Sequence, residues 1–218
     1  MSLRHPGEEL LLAFAAGEAD VAHRVLVEAH LAGCAACTAT VAELTAVGGA
    51  LLAALPATAP PPALWRELER RLASPAVGAD TAGAGDGLLP GLTLPAAARA
   101  EVPAGPSPRW RRLWAPGARW ALLHADPGGS RLLAARMPGG RIFPRHLHVG
   151  PEDVVLVSGA YDDDAGRFAV GDYAAYPPGS QHEPHTLAGQ VCTILLRLEA
   201  PNRFFGWRGL VQRLAGAA

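Results

Sequence analysis

Two groups of residues in this chain have the types and spacing to hold metal ions. In the second half, one residue separates His146 from His148, so a strand would turn both imidazoles to one face. Glu152 follows past a Gly150-Pro151 turn. His182 follows Pro177-Pro178-Gly179-Ser180-Gln181, a turn sequence that can bring a later strand back beside the first. Imidazoles with one carboxylate suit a divalent transition metal. In the first half, His30 and Cys34 are one helical turn apart, Cys37 is a turn further on, and His5 lies upstream. Cys-x-x-Cys places two thiolates on a tetrahedral zinc, and His5 supplies the fourth ligand if the N-terminal arm folds back. Such a closed shell has no open position, so zinc there would be structural. Two other readings stand beside it: a thioredoxin-like redox pair, disfavoured because no βαβ pattern surrounds it, and a chance pair of cysteines.

The elements that must position these residues differ between the halves. Residues 7–73 read as helical. Glu8, Glu9 and the run to Phe14 open a first helix that ends near Gly17. A second spans about Glu18 to Leu31, with Gly33 as its cap. A third starts near Cys34 and carries Val41, Leu44, Val47, Leu51 and Leu55 at helical spacing. Pro56 to Pro62 is a stiff break, and Ala63 to Leu72 gives a fourth. Gly, Pro and Ala then dominate, which reads as a linker with a short docked segment at Leu88 to Leu94. Beyond it the period changes: Trp120 to His124, Arg131 to Met137, Asp153 to Ser158 and Val191 to Leu198 read as strands. Asp162-Asp163-Asp164-Ala165-Gly166 reads as a solvated hairpin loop, and Phe204 to Leu214 as a final helix over a barrel face. His23 reads as a surface histidine, Glu183 and His185 as loop residues with recruitment for acid–base chemistry beside His182 as their alternative, and Cys192 as a buried apolar residue with a redox role as its alternative. The expected division is a helical domain at 1–75, a linker at 76–107 and a strand-rich domain at 108–218.

Composition narrows the function. A formal net charge of -1 over 218 residues predicts neither nucleic-acid binding nor attraction to a membrane surface. Every basic side chain is an arginine. The uncharged stretch Leu44 to Trp65 is broken by Gly48-Gly49 and the prolines, so it does not read as one membrane helix. With no export signal, three cysteines point to the cytoplasm and away from a disulfide framework.

Resemblances sharpen this. Gly140-x5-His146-x-His148-x3-Glu152-x6-Gly159 resembles the first motif of the cupin family, and Gly171-x5-Pro177-x-Gly179-x2-His182 resembles the second. The resemblance covers roughly residues 105 to 200 and implies a small double-stranded β-barrel in which His146, His148, Glu152 and His182 bind one metal. The second motif usually ends in Asn; Thr186 stands there, at a position that is not a ligand. His5 with His30-x3-Cys34-x2-Cys37 looks like the zinc-binding anti-sigma domain, as do the stretches Leu11 to Glu18 and Ala29 to Cys34. Followed by a cupin, the whole resembles the ChrR family of anti-sigma factors. That resemblance implies an α+β multidomain chain: an N-terminal zinc-binding bundle of about four helices and a C-terminal double-stranded β-barrel. It also implies an extracytoplasmic function (group IV) sigma factor as partner, and singlet oxygen or an organic hydroperoxide as signal. No catalytic residues are expected. Zn²⁺ is the first expectation for the cupin, with Fe²⁺ and Mn²⁺ as alternatives. The competing readings are a dioxygenase-like cupin enzyme with an accessory zinc domain, and a structural oligomerisation module.

Overall fold

In a computed structural model, residues 4–73, 88–113 and 116–206 are described. Five helices come first: α1 (Glu8–Ala15), α2 (Val21–Leu31), α3 (Ala35–Ala53), α4 (Pro62–Ala73) and α5 (Ala96–Ala100). Twelve strands follow: β1 (Arg111–Arg112), β2 (Arg119–Ala125), β3 (Arg131–Met137), β4 (His146–Leu147), β5 (Glu152–Ser158), β6 (Ala160–Asp163), β7 (Gly166–Ala169), β8 (Tyr173–Tyr176), β9 (Gln181–His182), β10 (His185–Thr186), β11 (Cys192–Leu198) and β12 (Arg203–Phe204).

Caps decide where the helices begin. α2 starts at Val21 rather than near Glu18, because the Asp20 carboxylate accepts the His23 N–H at 2.7 Å and stops the helix there. Gly33 is not a left-handed cap; that conformation falls to Gly17, at φ 77°, after α1. Cys34 is extended, and its sulfur accepts the Cys37 N–H at 3.5 Å, so a cysteine caps α3.

Six strands form the main sheet in the order β1-β2-β3-β11-β5-β8, and two three-stranded sheets, β10-β6-β7 and β12-β4-β9, complete a barrel-like fold. Alternation sorts its side chains. Val154, Leu156, Tyr161, Phe168, Ala174, Cys192 and Leu196 fill one core, inside the barrel. The opposite face of the main sheet, with Ala121, Leu132, Ala134, Val155 and Leu195, packs against Ala22, Val25, Leu26 and Ala29 of α2. β5 therefore has buried residues on both faces, which is why it reads as a nearly unbroken apolar run. Gly159, at φ 74°, turns β5 into β6; a Cβ there would lie 2.5 Å from the Val191 carbonyl oxygen.

Helices and sheet thus share a core. Leu89, Leu92 and Leu94 are buried in it, as is Ala98 of α5, a helix that the sequence pattern did not suggest. His23 is not a free surface residue: its ring lies between Asp20 and Asp153 of β5, where α2 meets the sheet. Arg203–Phe204 pairs with β4 as a strand, so the expected final helix does not begin there, and its remainder, 207–214, lies outside the described residues.

Candidate metal centres

In the barrel, register does the positioning. β4 and β9 pair so that His146 and His182 are directly opposed. The His148 N–H donates to the Ser180 carbonyl oxygen at 3.0 Å, which draws His148 to the same turn. Glu152 begins β5 opposite Tyr176 of β8. All four side chains are buried, and one ligand atom from each lies within 4.8 Å of the others.

Their hydrogen bonding suits a cation. His146 Nδ1 bonds the Pro144 carbonyl oxygen (2.9 Å), His148 Nδ1 the Ser180 hydroxyl (2.9 Å) and His182 Nδ1 the Asp163 carboxylate (3.0 Å). Each ring is held at Nδ1, leaving Nε2 for the centre. There His146 Nε2 and His182 Nε2 are 3.0 Å apart, and His148 Nε2 is buried with no hydrogen-bond partner. Burial, with the neighbouring His182, pulls His146 down to about 3 and His148 down to about 4, so both are neutral donors. Burial pushes Glu152 up to about 7, despite the Asn202 amide donating to it at 2.6 Å. A buried carboxylate among neutral rings calls for a positive charge. A cavity of about 100 Å³ opens beside the cluster, lined by apolar groups such as Phe143, Val154, Ile194 and Leu196.

The second cluster joins the N-terminal arm, α2 and α3. His5 Nδ1 lies 3.4 Å from Cys34 Sγ and 3.3 Å from Cys37 Sγ. His30 is fully buried; its Nδ1 bonds the Gly171 carbonyl oxygen at 2.6 Å, and its Nε2 has no partner. Ligand atoms of His5, His30, Cys34 and Cys37 also lie within 4.8 Å of one another. Burial and the neighbouring Cys34 push the Cys37 thiol up to about 11. Two thiols and two imidazoles, with an orphaned nitrogen facing in, match the donor set of a tetrahedral structural site.

Residues 106–201 match the family described as the ChrR cupin-like domain, and residues 8–38 match one described as a "putative zinc-finger". The curated anti-sigma-E factor ChrR of Cereibacter sphaeroides is 33% identical over 94% of this chain and 93% of its own length. The chain belongs to the ChrR family of anti-sigma factors. A crystal structure of Rhodobacter sphaeroides SigE in complex with the anti-sigma ChrR matches with a TM-score of 0.69 at 28% identity, covering 89% of this chain and 98% of that one.

This ChrR-family chain also uses residues that its sequence did not announce. Asp163 is not a solvated loop residue: its side chain is 1% exposed, and its carboxylate takes His182 Nδ1 and the Tyr176 hydroxyl, the latter at 2.9 Å. Period-two alternation from Tyr161 could have shown it facing inward. Thr186, at the departure from the second motif, is buried; its hydroxyl donates to the Pro138 carbonyl oxygen (2.8 Å) and accepts the Arg141 N–H (3.0 Å), tying down the turn before the histidines. Burial pushes the Cys192 thiol up to about 12, which favours its protonated form. Glu183 is partly exposed, and His185 is well exposed but opens β10 opposite Asp162 rather than lying in a loop; neither belongs to the cluster.

Proposed function

We propose that this chain holds an extracytoplasmic function sigma factor inactive, through the apolar surface of α3 and α4, and that its barrel metal receives an oxidative signal. The observation that carries the reading is that surface. Leu51, Leu52, Trp65 and Leu72 are 67%, 70%, 63% and 75% exposed, with Val47, Leu55, Leu64 and Leu68 also in solvent. Apolar exposure on this scale marks a surface made to be covered. α3 is also long and apolar enough, by length and composition alone, to cross a membrane. Its first half, however, packs Val41 and Leu44 against Leu10 and Phe14 and carries the cysteine cluster, which favours a protein partner. The relative's structure contains SigE, a sigma factor, and this chain takes a partner of the same kind in the cytoplasm. Residues 1–75 carry the inhibitory role and 108–218 the sensing role; 76–107 connect them, with Leu89, Leu92, Leu94 and Ala98 packed into the shared core.

Zinc fills the Cys₂His₂ set of His5, His30, Cys34 and Cys37 and fixes α3 against the arm and α2. His146, His148, Glu152 and His182 hold a divalent metal, Zn²⁺ before Fe²⁺ or Mn²⁺, which supplies a Lewis-acid centre beside the cavity. The chain is a regulator and not an enzyme, so that cavity serves reception rather than turnover. A signal there releases the partner only by binding one arrangement of the chain better than the other.

The test is co-purification with the partner sigma factor. Leu51→Asp with Trp65→Asp should leave folding intact, both side chains being exposed, and weaken the complex at least about 30-fold, as loss of a hot-spot residue does. Undiminished binding would remove these helices from the interface. In a sigma-dependent reporter, the His146→Ala/His148→Ala chain should still silence its partner yet respond weakly to singlet oxygen or an organic hydroperoxide. A normal response with the barrel metal gone would exclude that metal as the receiver.

A further inference from the structure

One histidine of the helical cluster, and the neighbour of the other, are held by the barrel. His30 belongs to α2, but the atom that fixes its ring is the carbonyl oxygen of Gly171, between β7 and β8. A histidine that gives Nε2 to a metal takes its tautomer and orientation from the partner of Nδ1. His5 precedes α1 and sits in no helix. Its neighbour Arg4 is fastened instead. The Arg4 N–H donates to Asp172 Oδ1 at 2.9 Å, and its carbonyl oxygen accepts the Tyr173 N–H at 3.0 Å. Its guanidinium donates to the Ala165 carbonyl oxygen and lies 3.8 Å from the centre of the Phe168 ring. The other Asp172 oxygen accepts the Ala169 N–H at 2.7 Å, and the residue is 5% exposed, so this anchor is itself rigid. The cysteines depend on α3; the histidines depend on residues 165–173.

We infer that Gly171 and Asp172 are positioning residues for the helical metal site, which is therefore built across the boundary between the two domains. The inference rests on His5, His30, Cys34 and Cys37 being metal ligands. It also gives the two clusters a common support. β8 runs from this anchor to Tyr176, whose ring stacks on His148 with centroids 4.9 Å apart and lies 4.3 Å from His182. Tyr173, the first residue of β8 after this anchor, and Tyr176 are roughly 10 Å apart along the strand. A displacement of β8 at the barrel cluster therefore bears directly on the hydrogen bonds that aim His30 and His5.

The experiment is a Co²⁺ titration of the full chain. Thiolate ligands give cobalt an intense charge-transfer band, and the Cys34→Ser chain provides the blank. The Arg4→Ala/Asp172→Asn chain removes the guanidinium contacts and one of two carboxylate acceptors while leaving every ligand in place. It should bind Co²⁺ at the thiolate site about 10- to 100-fold more weakly than the native chain, as loss of an outer partner does. Metal retained at the barrel in the same samples shows that the chain is folded, a result that general destabilisation would not give. Should the double variant fail to fold, Arg4→Ala alone replaces no barrel residue and should weaken the same band at least about threefold. Native affinity in the folded variants overturns the inference and leaves the ligand assignment standing. A native chain without the band overturns the ligand assignment and the inference together.

Discussion

Replacing His23 with Gln should weaken the chain at neutral pH and do almost nothing at high pH. His23 Nδ1 lies 3.3 Å from Asp20, and its Nε2 lies 3.2 Å from Asp153 on the sheet. Arg197 of β11 completes the group, 2.8 Å from Asp20 and 4.0 Å from Asp153. Burial works against charge on His23, but hydrogen bonds to Asp153 and Asp20 outweigh it and hold the imidazolium up to about 9. In the unfolded chain it titrates near ~6.5. Stability from a raised value is fully present below the unfolded pKa and is lost as pH rises through the folded one. The contribution is then about 3 kcal/mol at ~pH 6, about 2 kcal/mol at ~pH 7.5 and almost nothing by ~pH 10. For a chain of this length, about 2 kcal/mol moves the unfolding midpoint by roughly 4–8 °C. Circular dichroism melts of the native and His23→Gln chains, equally metal-loaded, give the gap at each pH. Other groups titrate in both chains, so the gap isolates this one. A gap independent of pH, or wider on the alkaline side, would refute the bridging imidazolium.

Three further outcomes can be checked directly. Cys34→Ser should empty the helical site and leave the barrel metal in place by elemental analysis; loss of both would sink the two-site reading. Asp163→Ala, which frees His182 Nδ1, should lower barrel metal affinity about 10- to 100-fold in chelator competition, and an unchanged value would deny Asp163 its supporting role. Leu26 is fully buried where α2 meets the sheet, so Leu26→Ala should cost about 2–5 kcal/mol in urea unfolding, and a loss under about 1 kcal/mol would mean that this interface is not closely packed.

The ligand candidates were legible because metal chemistry restricts both residue type and spacing. His146 and His148 had to alternate along a strand, and His30, Cys34 and Cys37 had to follow a helical turn. What supports them was not legible. Asp163 hides in an acidic run that composition alone assigns to solvent, although one strand of alternation turns it inward with Tyr161. His23 was missed because its value lies in Asp153, which is distant in sequence and meets it only when α2 docks on the sheet. The spacing of Val41, Leu44, Val47 and Leu51 correctly marks a helix, although Leu55 lies beyond its end at Ala53, yet periodicity cannot say whether its own chain or another covers the apolar face. Gly171 was visible as part of a barrel motif, while its hydrogen bond to His30 of α2 depends on tertiary packing alone.

α3 is fastened at one end only. Cys34 caps it, Cys37 lies in its first turn, and Val41 and Leu44 pack near α1, but Val47, Leu51 and Leu52 stand in solvent. Its 19 residues make a rod of roughly 28 Å. Beyond Leu44 about half of that length is free, so a tilt of about 20° there swings the far end by about 5 Å, more than the reach of a van der Waals contact. Leu44 is thus the last support of a cantilever. A change at the sulfur cluster that loosens the packing of Val41 and Leu44, too small to unfold anything, would be enough to lift a leucine at the tip out of a partner's socket.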